Sequence, residues 1–326
     1  MKQRIQYIDR LKGVAMMSVL IIHVIVIGNL SENPDAIAHH LDPIAMPLFM
    51  FLSGLVISSV PWGGALLKKL ALLLMPFLIV GTFFTYVGHN KTPIEFINNP
   101  LKYGYYYLLT LSETTLLIIP LHWNSCENKK KECLIDLSWG IMAWVILYLF
   151  RCYLPIHIQN ILDMKDFYGL WPFFYFGYLS NKYQLIDKLV LHNFIFSIDL
   201  IVLLLIYTLP EFEQYGKLKS FALIIALCYL FRIREKEYSM IENLLGHIGK
   251  NSLDVYIFHY FILITINLED VGVWLHKDGN LFIEVILVTI LAILIAYIAI
   301  LFGKSIKKSE LINDIVYGNF AKKLII

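Results

Sequence analysis

Ile8-Asp9-Arg10-Leu11-Lys12-Gly13-Val14-Ala15-Met16-Met17-Ser18-Val19-Leu20-Ile21-Ile22-His23 is the stretch on which the reading of this chain turns. It is apolar from Gly13 onward, and with the residues that follow it reaches the ~20 helical residues needed to cross about 30 Å of hydrocarbon. A carboxylate and two cations stand at its entrance, and an imidazole lies well inside. An α-helix turns about 100° and rises about 1.5 Å per residue, so Lys12 and His23 fall within about 20° of each other, about 16 Å apart. Asp9 lies within about 60° of the same line. Polar groups along one side of a membrane-spanning helix are costly unless they face protein or a wet cavity. The segment reads as the wall of a site.

The rest of the chain fits a membrane setting. Its 326 residues are 58% hydrophobic and 16% charged, with a mean hydropathy of +0.67, where a soluble domain carries roughly 25% charged residues. The net charge of +2 is too small to point to nucleic acid; the expected environment is the lipid bilayer. Apolar runs near 10–29, 44–61, 70–88, 103–121, 137–154, 167–181, 189–209, 218–233, 250–268 and 281–303 predict an all-α polytopic protein of about ten transmembrane helices. Most of the 27 basic residues fall on one side of that alternation, which predicts both termini in the cytoplasm of a multi-pass cell-membrane protein. The basic start mimics a signal peptide, but no small-residue cleavage site follows, so the first span is expected to be retained. With no linker or low-complexity tract, residues 1–326 read as a single domain. In the tail, 304–326, the residues Leu311, Ile312, Ile315 and Val316 recur at helical spacing, as in a surface-lying helix or a frayed terminus.

Three constellations can carry chemistry. On the first span, His23 is placed to act as a general base, with Asp9, Arg10 and Lys12 at the mouth to hold an anionic donor. The plainer reading gives Arg10 and Lys12 to membrane orientation and His23 to a hydrogen bond with a neighbouring helix. At the ninth run, Ser252, Tyr256 and His259 stand at i, i+4 and i+7 and form one polar stripe, either a second wall of the site or a seam between helices. At the second, Ser53-Gly54 permits close helix approach, and Lys68 and Lys69 beyond it suit phosphates or orientation. Glu113 and Asp199 are buried carboxylates by position, and Arg151 is placed to snorkel. His39 and His40 lack a spaced ligand set, so no metal site is expected. Cys126 and Cys133 fit no common zinc pattern and read as reduced thiols.

Together these stretches resemble the membrane-bound acyltransferase family 3, integral-membrane O-acyltransferases of surface polysaccharides. The opening pattern of that family, an acid, two residues, a cation, ten residues and a histidine, stands here as Asp9, Lys12 and His23. Further matches are Phe49-Met50-Phe51-Leu52-Ser53-Gly54, Gly104-Tyr105-Tyr106-Tyr107-Leu108, Phe173-Phe174-Tyr175-Phe176-Gly177-Tyr178, and Ile248-Gly249-Lys250-Asn251-Ser252-Leu253 running on through Tyr256 to His259. Two departures stand out. The arginine-rich stretch that follows the second span in relatives is replaced by Leu72-Leu73-Leu74-Met75 before Pro76, leaving Lys68 and Lys69. No appended SGNH-type domain is read after the membrane part.

The resemblance implies acyl transfer, commonly of acetyl, from cytoplasmic acyl-CoA to a hydroxyl of a lipid-linked or surface glycan, with no tightly bound cofactor. His23, Lys12 and Asp9 would be catalytic, and Arg10, Lys12, Lys68 and Lys69 would hold the donor. Ser252, Tyr256, His259 and Ser53 would face the acceptor. Partners would be the glycan, the bilayer, and either a second copy or glycan-assembly proteins. The competing reading is an exporter or flippase of polysaccharide or lipid-linked sugar, with His23, Glu113 and His259 as a proton relay.

Overall fold

A computed structural model describes residues 5–28, 30, 35–57, 59–124, 128–209, 215–236, 239–277 and 281–322. Among them there are helices and turns and no strand. The α-helices in chain order are α1 (Gln6–Ile27), α2 (Asp35–Leu41), α3 (Ala45–Leu55), α4 (Gly64–His89), α5 (Pro93–Asn98), α6 (Tyr106–Leu117), α7 (Lys129–Tyr153) and α8 (Ile156–Ile161). They continue with α9 (Met164–Tyr183), α10 (Asn193–Thr208), α11 (Gly216–Ile233), α12 (Met240–Lys250), α13 (Ser252–Leu263), α14 (Glu269–Lys277), α15 (Leu281–Lys307) and α16 (Glu310–Tyr317).

Among the described residues a helix lies over each of the ten expected segments, and four helices, α1, α4, α7 and α15, are long and apolar enough to cross a membrane. Others are shorter than the hydropathy suggested, for local reasons. The run at 103–121 holds only the 12 residues of α6. Left-handed backbone at Lys102, Tyr103 and Gly104 precedes that helix, and a 3-10 turn containing Pro120 follows it. The run at 44–61 stops at Leu55, ahead of Pro61, Gly63 and Gly64. Cys126 lies outside the described residues.

The chain divides into two compact units. The first, residues 1–52 and 179–303, is built on α1. Its main partner is α12, with α13 and α11 beside it. Glycine sets the closeness of that packing. A Cβ at Gly13 would stand 2.1 Å from the Leu245 carbonyl oxygen, and one at Gly249 would stand 1.8 Å from that of Asp9, so the two backbones touch. Leu11, Ala15 and Leu20 are fully or almost fully buried in this unit, as are Val255 and Ile257. A Cβ at Gly303 would meet the Asp254 carboxyl at 2.5 Å, so α15 closes on α13 in the same way.

In the second unit, residues 53–178 and 304–326, α4 packs on α6 and carries α16. Gly54 admits the Phe174 carbonyl oxygen 2.0 Å from where its Cβ would be, the close approach expected of Ser53-Gly54. Trp171 Nε1 donates to the Gly140 carbonyl at 3.1 Å, and the Tyr175 hydroxyl donates to that of Asp136 at 2.5 Å, joining α9 to α7. Lys102 is completely buried and ties the turns around it together. Its ammonium donates to the carbonyls of Ile97 at 2.7 Å, Asn99 at 3.0 Å, and Asn160.

Candidate active site

Within the first unit, α12 and α13 bring the second polar stretch to α1. Ser239 and Glu242 start α12 with a reciprocal cap. The Ser239 amide donates to the Glu242 carboxylate at 3.1 Å, and the Glu242 amide donates to the Ser239 hydroxyl at 3.1 Å. The helix then breaks at Asn251 and restarts as α13 at Ser252. The restart turns His259 toward α1.

There His23 Nδ1 and His259 Nε2 are 3.0 Å apart, with the rings stacked 4° from parallel and their centroids 5.2 Å apart. The hydrogen bonds behind the pair fix the tautomers. His259 Nδ1 lies 3.0 Å from the Val255 carbonyl oxygen and 2.9 Å from that of Tyr256. Both can only accept, so Nδ1 carries the proton and Nε2 of the neutral ring keeps a lone pair. His23 Nδ1–H then donates to that lone pair, and His23 Nε2 is left with its own lone pair exposed to reaction. The Tyr260 hydroxyl stands 3.4 Å from this atom. His259 is completely buried and Tyr260 is 6% exposed, while His23 is only partly covered. An oriented imidazole whose Nε2 lone pair accepts from a hydroxyl, here that of Tyr260, is the geometry of a general base.

At the other end of α1, a cavity of about 260 Å³ is lined by Gln6, Asp9, Arg10, Glu242, Asn243, Gly246, His247 and Lys250. Every lining side chain is polar, and the glycine leaves room, since a Cβ at Gly246 would meet only Arg10 Cγ at 3.8 Å. Arg10 is 3% exposed. It donates to the Arg234 carbonyl at 3.0 Å and stands 3.6 Å from the Glu242 carboxylate, which Arg234 also approaches at 3.8 Å. The Ser239 amide, then Arg10 and Arg234, hold the Glu242 carboxyl below its usual range. His247 stacks on Tyr297 with centroids 5.8 Å apart, and Lys250 is exposed.

Of the residues singled out from sequence, the structure brings together His23 and His259, and places Asp9 and Arg10 on the cavity. Lys12 is half-buried on α1. Tyr256 is buried with its ring 6.1 Å from that of His259, and Ser252 opens α13. Ser53, Lys68 and Lys69 belong to the second unit, where the Ser53 hydroxyl is 2.8 Å from the Tyr107 hydroxyl. Arg151 lies over the Tyr168 ring at 5.5 Å. Glu113 and Asp199 each keep a buried oxygen with no hydrogen-bond partner among the described residues. His39 and His40 are exposed, with ring centroids 5.4 Å apart, and no group of three metal-ligating side chains occurs among the described residues. Tyr260 and Glu242 were not read as site residues. The spacing Ser239-x-x-Glu242 is a legible cap signal, whereas Tyr260 lies about 100° from the stripe that includes His259.

The profile of the family described as an acyltransferase domain, acyltransferase family 3, matches residues 5–301. The fold and this match define a membrane acyltransferase. The chain belongs to acyltransferase family 3. No curated protein and no solved structure matches it.

Proposed function

We propose that the protein moves an acyl group, acetyl in the simplest case, from acyl-CoA to a hydroxyl of a cell-surface or lipid-linked glycan. His23 Nε2 takes the proton of the acceptor hydroxyl as its oxygen attacks the thioester carbonyl carbon. The C–S bond then breaks, and the thiolate leaves as the CoA thiol with the proton carried on His23. The observation that carries this reading is the hydrogen-bond chain from the Val255 and Tyr256 carbonyls through His259 to His23, which leaves Nε2 as the lone pair that accepts from a hydroxyl. His259 positions His23. The Tyr260 hydroxyl, 3.4 Å from Nε2, marks where an acceptor hydroxyl would stand.

The polar cavity suits the polar end of the donor. Asp9 to His23 spans about 21 Å along α1, so a donor seated there needs a long flexible arm, as CoA has, to reach the base. Arg10, engaged by Glu242, and Lys12 stand with Asp9 at the mouth to receive the donor phosphates. Ser252 and Tyr256 remain acceptor-facing candidates. The setting proposed is the cell membrane, with ten crossings and both termini cytoplasmic.

The test combines transfer from radiolabelled acetyl-CoA by purified protein in nanodiscs with mass spectrometry of surface glycans from expressing cells. His23→Ala is expected to abolish acceptor acylation while membrane insertion is unchanged. Acylation retained by that variant overturns the reading.

A further inference from the structure

The second unit carries an apolar helix face that no described residue covers. Helix α16 is docked at one end. A Cβ at Gly318, which follows it with φ +65°, would stand 2.5 Å from the Ala71 carbonyl oxygen of α4. Tyr317 is 4% exposed, with the Lys307 ammonium 4.9 Å from its ring centroid. At helical spacing Leu311 and Ile315 fall about 40° apart, with Ile312 about 60° beyond, while Tyr317 lies roughly opposite with Glu310 beside it. The stripe is open: Leu311 is 71% exposed, Ile312 46% and Ile315 43%. One side of α16 therefore grips α4, and the other presents a row of branched aliphatic side chains outward.

Three features beside it match one surface. Lys304, Lys307 and Lys308 crowd the turns just before α16, exposed on the chain that leads into it. Lys68 and Lys69 sit on α4 within a turn or so of Ala71, the residue that receives Gly318. Two residues before α4 begins, Trp62 is 48% exposed and packs edge-on to Trp123, itself 63% exposed, at 4.6 Å between centroids. Lysines beside an outward apolar stripe complement anionic headgroups, and indoles concentrate at headgroup depth. Beyond this end, α4 exposes Leu78 and Phe83, as a lipid-facing helix does.

We propose that α16 is an interfacial helix that lies in the leaflet at the lysine-rich end of α4. Leu311, Ile312 and Ile315 enter the acyl boundary, and Lys304, Lys308 and Lys68 hold the headgroups of anionic phospholipids. Docked this way, α16 fixes the depth at which α4 enters the bilayer. The proposal does not depend on the acyl-transfer reading.

The test is site-directed spin labelling of the full chain with Cys126, Cys133, Cys152 and Cys228 changed to Ser. Single labels at Leu311→Cys, Ile315→Cys and Asp314→Cys are compared in nanodiscs of phosphatidylcholine with and without phosphatidylglycerol. With phosphatidylglycerol, the ratio of oxygen to nickel-chelate collisions is expected to be several-fold higher at 311 and 315 than at 314. That difference is expected to shrink in phosphatidylcholine alone, and equally when Lys304→Gln and Lys308→Gln are combined. Labels at 311 and 315 that collide freely with nickel overturn the proposal. Labels shielded from both reagents overturn it in favour of a protein partner, and a contrast indifferent to phosphatidylglycerol removes the anionic lipid from it. All three labels sit on α16 side chains that face outward or sideways, so folding is checked simply by a monodisperse elution profile.

Discussion

His259 has main-chain carbonyls behind it in place of the carboxylate that often orients a catalytic imidazole. Its role is to hold His23 in one tautomer and one plane, so His259→Ala should lower kcat by roughly 10²-fold or more with little change in KM for the donor. His259→Gln, which can still accept through its amide oxygen, should recover part of the loss in the same radiolabel assay. A second residue-scale outcome concerns the buried polar knot of the other unit. Asp163 is 1% exposed, and the Thr110 hydroxyl donates to it at 2.7 Å. Burial, then the Asp166 charge, push its carboxyl above the usual range, against Thr110 and Lys102, which pull it down. Glu113 on α6, and Lys165 and Arg151 around Asp166, complete the charged surroundings. The folded state thus holds this proton more firmly than the unfolded chain does. Its stabilising share is complete below the unfolded value of about 4 and declines as pH rises through the higher folded value. Thermal unfolding in detergent from pH 5 to pH 9 should therefore fall less steeply for Asp163→Asn than for the parent. Lys102→Met, which strips the donor from three part-buried carbonyls, should cost about 3 kcal/mol in SDS unfolding.

The crossing of α1 and α12 rests on two glycines with no room for a methyl group, and a third nearby has room to spare. Gly249→Ala should separate the helices at a cost of about 3 kcal/mol or more, because the clash is with backbone. Gly246→Ala should instead raise stability by about 1 kcal/mol through helix propensity alone. Unfolding midpoints of the two variants decide it, and equal effects would refute the glycine seam. At this scale the sequence was partly readable. The helix over each apolar run followed from hydropathy, and the polar faces of α1 and α13 followed from angular spacing. The start of α13 at Ser252 lies within two residues of the expected run at 250–268, whereas α12 before it, amphipathic and of mixed polarity, was not foreseen. The pairing of His23 with His259 was likewise open, since it depends on a contact between residues far apart in the chain. The engagement of Arg10 by Glu242 also escaped the one-dimensional view, which sees the charge of Arg10 but not its counter-ion.

For the whole molecule, the positive-inside bias gives the sharpest expectation. In a background with the four cysteines replaced, Lys91→Cys and Lys165→Cys should react with a membrane-impermeant maleimide on intact cells. Lys130→Cys should react only after permeabilisation. Labelling of Lys130→Cys on intact cells would refute both cytoplasmic termini and the ten-crossing arrangement. Composition made the membrane setting legible from the start, since 16% charged residues over this length falls well short of the roughly 25% of a typical soluble domain. The number of crossings is harder to read because α3, α6 and α13 are each too short to span about 30 Å as straight helices.

The carbonyls that hold His259 belong to its own helix, one turn back. Almost any side chain supplies the same peptide oxygen at positions 255 and 256, so this support cannot be deleted by a point mutation there. A random screen for inactive variants should therefore return changes at His23 and His259 but none that act by removing the group behind them. The orientation of the base is insulated from mutational drift in a way that a carboxylate partner, one codon change from loss, is not.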